Sequence, residues 1–538
     1  MDKETTKKST DGIKCISKST NLSLLWDLGV VIESRGRVLV NMGSFVRITV
    51  LIWADILTNY ALFVMTPYLT NVWSLNITHA AAIVNVFSGA ATIMPIGMAF
   101  LVDAFMGDYW MLLLSSLAYS FGLSLLAMST PPILSNAAGN CGAYKPDCIG
   151  DAQMVLFYTA LAFLVIGISG HITSLDAFLK QQDSKEPMPW QAAAICTVVA
   201  TFLFTTGSCS YKRSGPHQQG SPLTTIFRVF VASASNIFCH RLPDDNPLPQ
   251  THSLRCPGKA EIVVQTQNQE QKEQNRWRHC SSEEMDDTKN FIRMIPMWMT
   301  FIMCGVVISI GNTYFLEQAN DMNRKLGKLK VPLPIFKFFY ELVKDHFKRL
   351  YVEVTKKVIP ERHVPTFGII VAMLFSILCC ITAAEVETRR LDVIRRHGFL
   401  DKPNEKIPMS MFWLLPQFLL LGAVDGMSNF SIDQFFTNQA PASMSRYLKL
   451  FSHGVIGAGT VGSVLSVYVV GKVSERKGRP NWFQDTLNKS RLDNYYWTLT
   501  VLSSINLILY VLVAWWYTCR HPGKDANKAT KNEESTQP

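Results

Sequence analysis

The chain has 538 residues, of which 48% are hydrophobic and only 17% are charged, and its formal net charge is +10. This composition excludes an ordinary soluble domain and is typical of a helical membrane protein, which collects Lys and Arg in its cytoplasmic loops. The basic residues are scattered between apolar runs, so a nucleic-acid partner is not expected.

Ten apolar runs are long enough to cross a bilayer, which takes about 20 residues. They are 47–69, 80–103, 110–129, 154–174, 190–209, 294–316, 365–385, 409–432, 450–472 and 496–518. An eleventh segment, 332–351, is interrupted by charged side chains. Alone it predicts an amphipathic surface helix; in a bundle it could span with its charges turned toward a wet cavity.

The runs form two groups separated by a long polar stretch. The predicted units are a cytoplasmic segment 1–46, a first helix half 47–209, a cytoplasmic linker 210–291, a second helix half 292–518 and a tail 519–538. Two such groups are typical of a transporter built from two packed halves. With a cytoplasmic N-terminus, five spans would place the linker outside, although its many Lys and Arg residues favour the cytoplasm. One helix is therefore expected to be missing, near 184–189.

Ionisable residues inside apolar spans are costly, which makes them candidates for binding substrate or protons. Asp55 and Asp425 lie deep in their spans, and a carboxylate or imidazole can change its charge as it meets each side of the membrane. The other candidates are Asp103, His171, Asp433 and His453. Structural roles compete with this interpretation, because Asp103 can cap a turn and His453 can bond a backbone carbonyl near a helix end.

Signatures of other chemistry are absent from the sequence. It has no nucleophile elbow, phosphate loop, HExxH or dinucleotide fingerprint, so neither an enzyme nor a cofactor is expected. No CxxC pairs form a zinc signature, and no metal site is expected. Cys141 and Cys148 share one polar loop, where a disulfide can form if the loop faces an oxidising compartment; the sequence leaves this open.

Several distinctive motifs occur along residues 50–518. The longest is 481–497, which reads NWFQDTLNKSRLDNYYW and contains Asp485, Arg491 and Asp493. The others are Asp103–Gly107, Gly220–Thr224, Phe412–Phe418 and Gln439–Met444, the last of which contains Pro441. Together these motifs resemble the proton-dependent oligopeptide transporters, in their plant nitrate/peptide branch.

The resemblance implies an all-α membrane protein with the major facilitator fold, in which two helical halves surround a central cavity. The family has twelve helices, but its fifth has no counterpart between Leu175 and Trp190, so eleven are expected here. The implied function is secondary transport of a small solute by alternating access, coupled to protons. Nitrate, a short peptide or another small metabolite would be the substrate.

The sequence departs from the family at two coupled positions. The first helix of the family usually carries Glu-x-x-Glu-Arg, whereas here Asp55 is the remaining acid. The fourth usually ends in Gly-Gly-Ile-Lys-Pro, whereas Ile172 holds the lysine position. His171 could substitute, although one residue turns a helix by about 100° and would point it elsewhere. An uncoupled facilitator and a non-transporting sensor or regulator therefore remain alternatives.

Position and polarity predict which residues line the cavity. They lie in 55–60, 312–314 and 425–434, and include Tyr60, Asn312, Tyr314 and Gln434 besides the acids named above. The protein is expected in the plasma membrane or the vacuolar membrane, with the lipid bilayer, a small solute and protons as its partners.

Overall fold

The computed structural model describes residues 51, 55–56, 58–130, 149–181, 224–227, 229, 282–360, 363–402, 405–439 and 445–520. Nearly all of this part is helical. The helices are α1 Met65–Asn71, α2 Ile77–Ile93, α3 Pro95–Leu101, α4 Gly107–Met128, α5 Asp151–Gln181, α6 Ser282–Ile310, α7 Leu316–Asp321, α8 Ile335–Val358, α9 Val364–His397, α10 Leu415–Gln439, α11 Ser445–Ser474 and α12 Leu492–Arg520. The strands are β1 Met322–Asn323, β2 Lys325–Leu326, β3 Leu329–Lys330 and β4 Ile407–Ser410, which pair as β1 with β4 and β2 with β3.

Seven helical segments of the described chain are long and apolar enough to cross a membrane. They are Ile77–Met128, Asp151–Leu175, Thr288–Asp321, Val364–His397, Met411–Thr437, Tyr447–Ser474 and Leu492–Trp516. The prediction of an integral, multi-pass, all-α membrane protein is therefore confirmed. Helix α6 begins at Ser282, ten residues before the predicted boundary of the second half. The helix continues beyond its apolar span into the polar residues that precede it.

The segment from Ile77 to Met128 reverses its direction, so α2 and α3 form one helical arm and α4 forms a second one. Ser169 Oγ in α5 donates to the carbonyl of Ala91 at 3.3 Å, while the neighbouring Gly170 packs on Ser115. A straight helix from 91 to 115 would be about 36 Å long, so both contacts require a reversal. It falls at Gly107, whose φ of +71° suits glycine, after a single π-helical turn.

Helix α8 corresponds to the charged segment 332–351 and lies inside the bundle, against α10. A Cβ at Gly422 would lie 2.6 Å from the carbonyl oxygen of Tyr340, and Gly426 packs equally closely on Lys344. The residue number increases by four in both helices between these two contacts, so α8 and α10 run parallel. The 24 residues of α8 span about 36 Å, enough to cross the hydrocarbon core.

One end of the second half is closed by a buried polar network. The Arg390 guanidinium donates to both carboxylate oxygens of Glu387, at 2.7 and 2.8 Å, and neither side chain is exposed. Arg390 also donates to Asn488 at 3.2 Å, while Gln318 donates to Glu387. At the surface of the same end, the Lys489 ammonium hydrogen-bonds Asp401 and lowers its pKa. We call this the network end of the bundle.

The two halves meet along α2 and α11. Gly89 of α2 packs on Gly457 and Val461 of α11, and Asn85 donates to Ser463 at 3.1 Å. Small residues allow this close approach of the backbones. The expectation of eleven helices depends on residues 182–223, which lie outside the described residues. Cys141, Cys148, Pro441 and nearly all of the linker also lie outside them.

Candidate functional site

A cavity of 630 Å³ lies between the two halves. Residues of α2, α4 and α5 form most of its wall together with the segment 55–63, which is helical where the structure describes it and which we call the first helix. The second half contributes Asn312 and Lys337. The lining residues are Asp55, Asn59, Leu62, Phe63, Met65, Val84, Phe87, Ser88, Ala91, Thr92, Tyr119, Ile168, His171, Ile172, Leu175, Asn312 and Lys337. Polar groups are few and occur on both sides, which is the usual composition of a small-molecule site.

The first half places an acid against an imidazole in this wall. His171 Nδ1 lies 2.9 Å from Asp55 Oδ1 and 3.0 Å from Oδ2. The other ring nitrogen lies 2.8 Å from Ser116 Oγ, and Tyr119 meets the ring edge-on at 5.3 Å. His171 is 3% exposed whereas the side chain of Asp55 is 29% exposed, so Asp55 is the member of the pair that the cavity can reach.

The Asp55–His171–Ser116 order also occurs in nucleophilic hydrolases, but its placement here does not suit that chemistry. A nucleophilic serine must reach the substrate, whereas Ser116 is 1% exposed and is not among the residues that line the cavity. The hydroxyl instead contacts the imidazole and helps to fix the orientation of the ring against Asp55.

The second half contributes a cation and an amide. Lys337 lies 2.7 Å from Glu341, and its ammonium sits over the rings of Phe63 and Tyr340 at 5.7 and 4.9 Å. Asn312 lies in the π-helical turn Gly311–Phe315 that interrupts α6. Its side-chain oxygen is buried and has no hydrogen-bond partner among the described residues. The cavity wall of the second half therefore carries an ammonium, paired with Glu341, and an amide side chain, opposite the acid of the first half.

Asp425 is held by α8 rather than by the cavity. Lys344 Nζ lies 2.7 Å from Asp425 Oδ2, to which the Tyr340 hydroxyl donates at 2.6 Å. Asn429 donates to its other oxygen. Asn312 interacts with Tyr340, so the ion pair is linked to the cavity through two side chains.

The remaining predicted candidates lie away from the described cavity wall. Tyr314 is 1% exposed and packs in the apolar core beside Phe483. Asp433 lies 3.5 Å from His453, a contact between α10 and α11. Tyr60 and Gln434 are half-buried. Sequence reasoning allowed that the charges of 332–351 could face a cavity, but it singled out none of Lys337, Tyr340 and Lys344 as site residues.

The family-motif residues shape the turns at the ends of helices. Asp103 accepts from the Tyr447 hydroxyl at 2.5 Å and so joins the two halves. Arg491 forms a two-pronged bond with Asp493 at the start of α12, at 2.8 and 2.9 Å, while Asp485 is exposed. These contacts place the motif residues in the scaffold around the cavity.

A multi-pass helical bundle in two halves, with a largely apolar cavity between them that carries a few polar groups, is typical of membrane transporters. The family model described as "PTR2: POT family" matches residues 181–483, more than half of the chain. Protein NRT1/ PTR FAMILY 5.5 of Arabidopsis thaliana is 39% identical over 523 residues, covering 87% of this chain and 96% of the relative. Protein NRT1/ PTR FAMILY 5.12 of the same plant is 27% identical, covering 85% and 89%. The chain belongs to the POT family.

Solved structures agree with this assignment at the level of the fold. The crystal structure of the POT family transporter PepTSo matches with a TM-score of 0.58 at 14% identity, covering 90% of this chain and 98% of that one. An auto-inhibited POT family peptide transporter matches with a TM-score of 0.56, also at 14% identity, covering 88% and 95%. The predicted family and the major facilitator fold are thus confirmed.

Proposed function

We propose that this chain is a secondary active transporter of a small solute with an anionic group, and that the Asp55–His171 pair carries the coupled proton. The contact that supports this most directly is the 2.9 Å approach of His171 to Asp55 at the edge of the cavity. The expected lysine partner is replaced by Ile172, yet an ionisable pair still joins the first helix to α5.

The solute class follows from the cavity wall. Lys337 provides the positive charge for an anionic group, and Asn312 adds an amide to the same wall of the cavity. Protonation of the Asp55–His171 pair changes the charge on the facing wall, so solute and proton affect each other's binding. Nitrate and a short peptide both carry the required anionic group; other small metabolites with one qualify equally.

Alternating access requires contacts between the halves that form in one state and break in another. Thr70 of α1 donates to Glu317 Oε1 of α7 at 2.8 Å, which joins the two halves at the network end. The other oxygen of Glu317 is buried without a hydrogen-bond partner among the described residues. Asn320 of the same helix also donates to Glu317 Oε1, at 3.4 Å, so among these neutral donors Thr70 is the one from the other half. A neutral donor is a weak closure on a buried carboxylate, which suits a gate.

Uptake by the purified chain in proteoliposomes tests the proposal, with nitrate and dialanine as first probes. Wild type should accumulate one of them only when the outside is made acidic. His171→Gln should lose the response to the pH gradient and retain binding, while His397→Gln, an exposed imidazole on α9, should behave as wild type. A gradient-dependent His171→Gln would contradict the role of this pair.

The alternatives give different results in the same experiment. Loss of the family's Glu-x-x-Glu-Arg motif favours an uncoupled facilitator or a sensor. A facilitator would equilibrate the probe at the same rate with and without the gradient. A non-transporting sensor or regulator would bind the probe without moving it.

A further inference from the structure

Three lysines of α8 lie on one side of the helix and form what we call the lysine stripe. Lys337, Lys344 and Lys348 are spaced so that, at 100° per residue, they fall within an arc of about 40°. Lys337 lines the cavity, so the stripe continues the cavity wall along α8. Helix α8 follows α7, whose Gln318 belongs to the network end. The stripe therefore leads from the cavity toward the opposite end of the bundle.

The third lysine of the stripe lies near the middle of the span. Lys348 is about 20 Å along the helix axis from Ile335 and about 15 Å from Val358. Its side chain is exposed, as are those of Asp345 and Arg349 beside it. Ionisable groups at this depth are costly against lipid and usually face a water-filled cavity or a partner. This part of α8 therefore suits the wall of a water-filled path rather than a lipid-facing surface.

The three lysines differ in how their charges are balanced. Lys337 and Lys344 each lie 2.7 Å from a carboxylate. Lys348 makes no ion pair or hydrogen bond with any residue that the structure describes, and its ammonium lies 5.6 Å from the centre of the Phe430 ring. Like charges four residues apart on a helix repel each other. An anion bound beside Lys348 would supply the missing balance.

We propose that Lys348 is a second binding site for the anionic group of the solute, between the cavity and the end of the bundle opposite the network end. The proposal rests on the proposed function for the anionic character of the solute. Lys337 and Lys348 are about 17 Å apart along the axis, so one small anion contacts them in turn. Between them, Asp425 already neutralises Lys344, so the next ammonium without a protein carboxylate is that of Lys348.

Uptake of nitrate and dialanine by the full-length chain in proteoliposomes tests this site. Lys348→Gln should lower the initial rate about tenfold, because one charge-assisted contact is lost, and should leave the affinity of the cavity for the probe unchanged. Lys348→Arg should restore most of the rate. Uptake by Lys348→Gln at the rate of wild type would overturn the proposal.

The next residue along the chain provides the matched control. Arg349 is also an exposed cation of α8, but it points about 100° away from Lys348 and bonds the backbone carbonyl of Asp345. Arg349→Gln should transport at the rate of wild type, and an equal loss of rate in both variants would contradict a site on the stripe. Equal melting temperatures would show that a slower variant is still folded.

A second measurement needs no transport, so it separates this proposal from the proposed function. Val352→Cys places a thiol one turn beyond Lys348. The rate of its reaction with a sulfonate-bearing thiol reagent, divided by the rate with a trimethylammonium reagent, should fall about tenfold on adding Lys348→Gln. An unchanged ratio, or a thiol that reacts with neither reagent, would overturn the proposal.

Competition identifies the anion that binds beside Lys348. At constant ionic strength, nitrate or dialanine should slow the sulfonate reagent at Val352→Cys and should have no such effect once Lys348→Gln is added. Slowing by dioleoylphosphatidylglycerol but by neither probe would assign the site to a lipid phosphate and overturn the proposal. Slowing by a probe in a chain whose uptake ignores the pH gradient would support the site while contradicting the coupled proton.

Discussion

At the scale of single residues, the pairing of His171 with Asp55 shows where sequence reasoning reaches its limit. Both residues were recognisable as costly ionisable groups inside spans. The helical turn of 100° between positions 171 and 172 predicted that His171 would point away from the family partner. A helical wheel gives directions within one helix only, and the approach of the neighbouring helix decides which position faces Asp55.

The arginines after residue 387 give a second example. In the sequence, Arg389, Arg390, Arg395 and Arg396 lie close together just beyond the apolar run 365–385. In the structure α9 continues through all four arginines to His397, so they point in different directions around the helix. Arg390 faces inward and is wholly buried, whereas the exposed Arg389 lies over the ring of Trp413. The period of the helix, which composition alone does not give, explains the difference.

Breaking the buried pair at Arg390 should destabilise the protein strongly. Arg390→Met leaves the carboxylate of Glu387 buried beside only the Gln318 amide, which costs about 3–5 kcal/mol for such pairs. Thermal unfolding in detergent measures the effect. Arg395→Met removes an exposed pair and should cost about 1 kcal/mol or less. Similar melting temperatures for the two variants would contradict the buried network.

At the scale of elements, glycines decide how closely the helices approach. The glycine-rich sequence of α11 allows close packing, and Gly457 and Gly459 pack against neighbouring helices. The pair Gly422 and Gly426 of α10 went unrecognised, because its partner α8 is too charged to be identified as a span from hydropathy. In the packed bundle, Lys344 of α8 pairs with Asp425 and Lys337 lines the cavity.

A methyl group at Gly422 should therefore separate α8 from α10. Gly422→Ala places a Cβ 2.6 Å from the carbonyl oxygen of Tyr340. Because the clashing atom belongs to the backbone, one of the two helices must shift to relieve the clash. We expect a loss of about 1–3 kcal/mol in stability, measured by thermal unfolding. Gly462→Ala on α11 is the matched control, since its Cβ would meet nothing within 4 Å. An unaffected Gly422→Ala would contradict the placement of α8.

The contact between α1 and α7 should control which end of the cavity is open. Thr70→Val removes the hydroxyl that bonds Glu317 and leaves the carboxylate without that donor, at a cost of about 1–3 kcal/mol to the closed state. A cysteine placed at Asn59, in the cavity wall, should then react faster with a water-soluble thiol reagent added from the network end. Thr78→Val, at an exposed hydroxyl near the start of α2, should leave the rate unchanged. Equal rates in all three backgrounds would exclude a gating role.

At the scale of the whole molecule, the fold was predictable because apolar length and family motifs are properties of the sequence. The polar side chains of the cavity were less so. They come from the first helix, α5, the π-helical turn and α8, and their proximity depends on how two halves pack across α2 and α11. Asp55, His171 and Asn312 were anticipated, whereas Lys337 required the structure.

The central claim is that solute and proton move together through this cavity. Its most direct measurement is the fluorescence of a pH indicator trapped inside proteoliposomes that hold the purified chain, on addition of nitrate or dialanine outside. The account predicts acidification of the lumen by the transported probe in wild type and none in Asp55→Asn or His171→Gln. Transport of the probe by wild type without any change in internal pH would contradict it.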